Sequence, residues 1–117
     1  MDKAEYQSRL EELNSLVKKE DYEGALAVVE AVDWRRVKSL RTLGMVADVY
    51  EANKRYPEAK KILLMAYDRS SIGKGILYRL VEVSVKMKDF DEAIDFYNEF
   101  EAVARHDNSR YLLKYKI

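Results

Sequence analysis

The chain contains no cysteine, one proline, four glycines and one histidine among its 117 residues. The absence of cysteine excludes a disulfide framework and any site that uses a thiolate. One histidine cannot provide the pair of imidazoles that many metal sites require. No run of 18 apolar residues occurs, and the first residues lack the apolar core of a signal peptide. We therefore expect a soluble protein with a cytoplasmic location.

An excess of charge of either sign is also missing, because 21 basic and 21 acidic side chains cancel. Such a chain has no global field that would attract nucleic acid or anionic lipid. We therefore predict no nucleic-acid partner and no membrane partner. The scarcity of glycine and proline, together with a charged fraction of 36%, is typical of solvated helices. The length is that of a single domain.

What the sequence does contain is a motif that recurs every 34 residues. Each copy places an aromatic residue three positions before an alanine: Tyr22 and Ala25, Tyr56 and Ala59, Phe90 and Ala93. Around each copy the apolar residues follow two stripes of helical spacing with a short polar turn between them. A period of this size is typical of stacked helical repeats. The sequence therefore predicts an all-α fold of antiparallel helix-turn-helix units, with the alanines buried at helix crossings and the aromatics packed at the turns.

The second unit shows the fullest pattern, with Leu43, Val46, Ala47, Tyr50, Ala59 and Leu63 at regular intervals. This pattern resembles the tetratricopeptide repeat, a 34-residue helix-turn-helix with W-x2-L-G-x2-Y in its first helix and A-x3-F in its second. The first unit departs from it, since Arg9 and Glu12 occupy the places of Trp and Leu. A terminal repeat that faces water on one side is expected to diverge in this way. The closing proline of the family is absent from all three units.

The resemblance implies a right-handed α-solenoid that forms a single domain over residues 1–117. Repeat 1 would span about 6–39, repeat 2 about 40–73 and repeat 3 about 74–107, and residues 108–117 would begin a fourth unit. That last segment is apolar and short. We interpret it as the start of a longer array, with a native capping helix as the alternative, and we expect an exposed end of this kind to self-associate.

The sequence offers little that could perform catalysis. His106 and Asp107 stand in the turn before the last segment, where a cap is a simpler explanation than a proton relay. The stretch 70–75 brings serines, glycines and a lysine together, but it lacks the Walker spacing and a preceding strand. We therefore predict a protein that is not an enzyme and that uses no cofactor and no metal.

The family resemblance also implies a concave face, which the first helix of each unit would line. The repeat register places eight residues on that face: Gln7, Asn14, Arg41, Met45, Asp48, Tyr78, Arg79 and Glu82. Tyr78 and Met45 would offer apolar area to a peptide, and Arg41 or Arg79 would hold a carboxylate. The leading hypothesis is a scaffold that binds a peptide or a partner domain on this face.

Two other classes of function remain open at this stage. The chain could be a structural spacer or an oligomerisation segment that makes contacts through its repeat ends. RNA binding of the one-base-per-repeat kind requires a basic groove, and Asp48 and Glu82 argue against it. A small basic cluster, Arg35, Arg36 and Lys38, lies between the first two units, where a solvated linker is the simpler interpretation.

Overall fold

The computed structural model describes residues 2–70 and 73–104, and within these residues the chain forms six α-helices and no β-strand. The helices are α1 (Lys3–Lys18), α2 (Tyr22–Glu30), α3 (Leu40–Ala52), α4 (Tyr56–Arg69), α5 (Lys74–Lys86) and α6 (Phe90–Ala104). The prediction of an all-α fold is therefore confirmed for this part of the chain. The predicted partial fourth unit (108–117), its self-association and the turn with His106 lie outside the described residues.

Most of these helices begin at a side chain that caps them. The capping oxygens of Asp2, Asp21, Ser39 and Asp89 accept hydrogen bonds from backbone amides three residues later, at 2.8 to 3.2 Å. Such a cap satisfies one of the amides that a helix leaves unpaired at its start. Helix α4 has no side-chain cap and instead carries Pro57 in its first turn, where a missing amide donor costs nothing.

The same tight turn joins α1 to α2, α3 to α4 and α5 to α6. One residue of each turn adopts the left-handed conformation, with φ of 61° at Glu20, 59° at Lys54 and 61° at Lys88. The next amide donates back to a carbonyl five residues earlier, as in Arg55 N to Tyr50 O at 2.8 Å. This bond closes the end of the preceding helix. The three left-handed residues are separated by the same 34 positions as the sequence motif.

Each helix packs against the next one along the chain, from α1 to α6. Ala25, Ala59 and Ala93 are all fully buried, as predicted, and so is Ala47. Small side chains at these positions let the helices approach closely. No helix among the described residues has both the length and the apolar character needed to cross a membrane.

The aromatic residues at the turns do not behave alike. Tyr22 and Tyr56 are half-buried and pack against the core. Asn53, which ends α3, donates to the Tyr22 carbonyl at 2.9 Å, and the ammonium of Lys86 on α5 lies 5.7 Å from the Tyr56 ring centre. Phe90 is 49% exposed, so the expectation that it packs was wrong. Phe90 is the first residue of α6, whose main contacts among the described helices are with α5.

The connection between α2 and α3 exposes Arg35, Arg36 and Lys38, as predicted for a solvated linker, but it also contributes to the core. Its residue Trp34 is only 4% exposed and belongs to the core. The indole Nε1 donates to the Val29 carbonyl at 2.8 Å, and the Tyr6 ring of α1 packs edge-on at a centroid distance of 6.3 Å. The connection is therefore anchored by one aromatic side chain.

Candidate functional site

The eight residues predicted for the concave face lie on alternate helices. Gln7 and Asn14 are on α1, Arg41, Met45 and Asp48 are on α3, and Tyr78, Arg79 and Glu82 are on α5. All eight are exposed or half-buried. The structure does not gather them into one site, because they fall into smaller groups with different surroundings.

The first group is a depression of about 570 Å³ between α1 and α3, which we call the α1–α3 pocket. Its lining combines three of the predicted residues with three others: Asn14, Arg41 and Met45, with Val17, Lys18 and Thr42. Val17 and Met45 supply apolar area, and Thr42 is nearly buried. Lys18 and Arg41 are exposed cations, and no described carboxylate lines the pocket. The pocket can therefore receive an anionic group beside an apolar one.

The backbone of α3 adds to this electrostatic preference. Ser39 caps α3, and its hydroxyl oxygen accepts from the amide of Thr42, which lines the pocket, at 3.2 Å. Arg41 is the second residue of the helix. The first turn of a helix carries partial positive charge, which favours a nearby anion. The lining cations and the start of α3 thus have the same sign, whereas the end of α1 at Lys18 carries the opposite partial charge.

The second group joins α3 to α5 rather than forming an open site. The Arg79 guanidinium lies 2.6 Å from Asp48 Oδ1 and 3.2 Å from Glu51 Oε2, and it also donates to the Gly44 carbonyl at 3.2 Å. The Arg79 side chain is 26% exposed. Since this arginine already holds two carboxylates of its own chain, its contacts are those of a bond between helices.

Tyr78 lies beside a third, smaller depression of about 250 Å³, which Lys74, Gly75 and Phe100 also line. Its ring packs edge-on against Phe100 of α6 at a centroid distance of 5.9 Å. This aromatic pair fixes the ring orientation, because an edge-on contact is favourable for two π systems. Gln7 and Glu82 line neither this depression nor the α1–α3 pocket.

A cluster that the sequence hypothesis did not include lies where α1 begins and the connection 31–39 passes. Two depressions of about 610 and 440 Å³ share Tyr6, Asp33 and Arg36 in their linings. Lys3 and Arg35 complete the first, and Lys38 completes the second. In the sequence this surface appears only as a basic cluster next to a tryptophan. That the cluster lines a depression could not be inferred, because it depends on the burial of Trp34.

The carboxylate of this cluster is tightly held. The guanidinium of Arg35 donates to both oxygens of Asp33 at 2.7 to 3.1 Å, and the Arg35 amide donates to Oδ1 at 3.0 Å. These side-chain and backbone bonds lower the pKa of Asp33 to about 2. Asp33 therefore stays ionised at neutral pH, and its charge is matched by Arg35.

Metal binding finds no support in the part of the chain that the structure describes. Over residues 2–70 and 73–104, no three His, Cys, Asp or Glu side chains are grouped so that they could hold an ion. No protein-family model matches the chain, and no curated protein matches it.

Proposed function

We propose that this chain is a non-catalytic interaction module that binds a peptide or a segment of a partner protein across α1, α3 and α5. We further propose that its helices form a right-handed solenoid of tetratricopeptide type. The recurrence of the left-handed turn at Glu20, Lys54 and Lys88 supports the repeat, and so does the burial of one alanine in each unit. The face formed by the first helix of each unit is then the binding surface.

The observation that carries this function is the composition of the α1–α3 pocket. Two exposed cations, an amide and a thioether surround it without a described carboxylate. A guanidinium binds a carboxylate with two parallel hydrogen bonds, and a thioether adapts to apolar side chains of different shape. The pocket therefore fits a peptide that presents a carboxylate next to an apolar side chain.

The structure also separates two arginines that the sequence treated as equivalent. Arg79 is held by Asp48 and Glu51, whereas Arg41 is exposed in the lining of the pocket. Binding a peptide carboxylate at Arg79 would require its internal ion pairs to break. We therefore assign the carboxylate contact to Arg41, with Lys18 beside it.

The test is selection of ligands from a displayed library of random dodecapeptides. The wild-type chain is compared with Arg41→Glu and with the control Lys61→Glu, which makes the same charge change at an exposed position of α4. We expect the wild type and the control to enrich the same peptides, rich in Asp and Glu. Arg41→Glu should bind those peptides at least about tenfold more weakly in fluorescence anisotropy. Equal binding by Arg41→Glu, at unchanged helicity, would contradict the proposal.

A second function, a spacer or oligomerisation segment, is supported by an observation at the other end of the described chain. Phe90 and Ile94, one turn apart on α6, are 49% and 45% exposed. Two adjacent apolar side chains in water favour contact with another surface. Sedimentation of the wild type and of the Phe90→Ser/Ile94→Ser variant tests it. A wild-type oligomer that the double variant abolishes would support this function, and a monomeric wild type would exclude self-association.

A further inference from the structure

The α1–α3 pocket and the two depressions at the start of α1 are all lined by residues of α1, from Lys18 to Lys3. The pocket residue Thr42 is bonded to Ser39, and Ser39 lines the depression that also contains Tyr6 and Lys38. That depression shares Tyr6, Asp33 and Arg36 with the next one, which reaches Lys3. We call these three linings together the basic strip, and its exposed cations are Lys18, Arg41, Lys38, Arg36 and Lys3.

The acidic residues within the strip already have partners. Asp2 caps α1 by accepting from the amide of Glu5 at 2.8 Å. Asp33 is held on both oxygens by Arg35. Asp33 is therefore paired with Arg35, and five further cations outnumber the remaining charge of Asp2, in a chain whose net charge is zero. A charge pattern of this kind selects an anionic ligand and speeds its encounter.

The middle of the strip is rigid because Tyr6 packs against a buried side chain. Its ring lies edge-on to Trp34 at 6.3 Å, and Trp34 is itself bonded to the Val29 carbonyl. A binding surface that is already ordered loses less entropy when a ligand arrives. Tyr6 therefore provides a fixed apolar contact between the cations on either side of it.

We propose that the ligand of this face is an acidic peptide segment in an extended conformation, which runs along the basic strip from the α1–α3 pocket to Lys3. This inference rests on the proposed function and names its ligand. Lys3 and Lys18 are 15 positions apart on α1, which is about 22 Å at 1.5 Å per residue. An extended peptide covers that distance with about seven residues.

A single-stranded nucleic acid is the competing anion, because bases stack on aromatic rings and phosphates bind cations. Two features of the strip favour the peptide. Asp2 and Asp33 interrupt the row of cations; every nucleotide that passes them carries a phosphate charge, whereas a peptide can place uncharged residues beside them. The ring of Tyr6 is half-buried and packs against Trp34, which reduces the area on which a base can stack.

The experiment measures binding of labelled peptides and an oligonucleotide by fluorescence anisotropy. The probes are a Glu-Ser octamer of alternating sequence, the trimer Glu-Ser-Glu, an alternating Lys-Ser octamer and an eight-nucleotide oligo-dT. The variant Arg36→Glu/Lys38→Glu reverses two cations of the strip outside the pocket. Its control is Lys61→Glu/Lys88→Glu, which has the same charge change at exposed sites, and Glu20 shows that glutamate accepts the left-handed backbone of position 88.

We expect the Glu-Ser octamer to bind at least about tenfold more tightly than the trimer, and the strip variant to reduce its affinity to that of the trimer. The control should bind like the wild type, the Lys-Ser octamer should not bind, and binding should weaken severalfold between 50 and 300 mM salt.

Three results would overturn the inference. If Arg41→Glu weakens the octamer but the strip variant does not, the ligand is confined to the pocket and the proposed function stands alone. If neither variant changes octamer binding, or the octamer does not bind, the acidic ligand is wrong, and the library selection then decides the proposed function separately. If oligo-dT binds more tightly than the acidic octamer and loses affinity in the strip variant, the strip binds nucleic acid.

Discussion

The second helix of a pair and the connection that follows it take the same number of positions in both cases, but they divide these positions differently. From the start of α2 to the start of α3, Tyr22 to Leu40, there are 18 positions, and from Tyr56 to Lys74 there are also 18. Helix α2 uses nine residues of this length, whereas α4 uses 14. The first connection is therefore long and irregular, and the second is short.

Each connection depends on a different kind of residue. In the first, Trp34 lies beyond the end of α2, and its side chain belongs to the core. In the second, Gly73 adopts a φ of 73°, which lets the chain enter α5 directly after α4. The comparison teaches that helices can begin at matching intervals while the residues between them are used differently. The long connection lines two depressions with Tyr6, and the short connection lines a different one with Leu40 and Arg79.

The largest expected effect comes from removing the anchor of the long connection. Trp34→Ala should reduce the free energy of unfolding by about 3 to 5 kcal/mol, because it leaves a cavity against Tyr6 and Val29. Urea denaturation followed by circular dichroism measures this loss of stability. Tryptophan fluorescence cannot follow unfolding of the variant, because Trp34 is the only tryptophan. Trp34→Phe keeps an aromatic ring and loses the indole bond, so its loss should be about 1 to 2 kcal/mol. Equal stability of Trp34→Ala and wild type would show that the connection is not anchored.

Trp34 also shows what could not be predicted from the sequence. The helices, their capping residues and the buried alanines follow from local spacing and from side-chain size. The burial of Trp34 depends on Tyr6 and Val29, which lie 28 and five positions away, and no local pattern records that contact. The neighbouring charges at 35, 36 and 38 instead favoured a solvated segment.

The same distinction applies to the candidate site. The repeat register correctly placed its residues on α1, α3 and α5, because that depends only on helical period. It could not separate Arg41 from Arg79, since the partners of Arg79 come from another helix. Ile94 shows the same limit. It is an apolar residue next to the buried Ala93, yet it is 45% exposed.

A smaller loss of stability is expected from a substitution in the short connection. In Gly73→Ala the new Cβ would lie 2.6 Å from Tyr67 Cδ1 and 2.8 Å from Ser70 Oγ, at a φ of 73°. The left-handed backbone alone costs about 1 to 2 kcal/mol, and the contacts require Tyr67 to move. The control is Gly75→Ala, where no atom lies within 4 Å of the Cβ. Because Gly75 is inside α5, alanine should stabilise it by about 0.5 to 1 kcal/mol. Thermal melts in which both variants shift the same way would contradict this difference.

The two connections are also linked to each other, and a still smaller effect tests that link. The guanidinium of Arg69, in the last turn of α4, donates to the Arg35 carbonyl in the first connection. Arg69→Gln should cost about 0.5 to 1 kcal/mol, as for other exposed hydrogen bonds. Arg69→Lys keeps the favourable charge at the helix end but not the guanidinium fork. If Arg69→Lys is as stable as wild type in urea, the bond to the connection contributes nothing.

The smallest effect concerns the ion pair at the exposed part of the long connection. Arg35 holds the pKa of Asp33 at about 2, below the ordinary value of about 3.9 that we take for the unfolded chain. A lowered pKa stabilises the folded state above about pH 4, and that contribution is lost as the pH falls towards 2. Both side chains are largely exposed, so solvent screening keeps the contribution small.

Arg35→Gln should raise the pKa of Asp33 towards its ordinary value, and carbon NMR of the carboxyl group during acid titration measures the shift. The same variant also tests ligand binding at the basic strip, because it leaves the Asp33 carboxylate without its paired cation. We expect Arg35→Gln to weaken the acidic octamer, although Arg35 itself is not counted among the cations that bind it. An unchanged pKa of Asp33 would mean that the ion pair does not form in solution. The negative charge of Asp33 would then oppose an acidic ligand in the wild type as well.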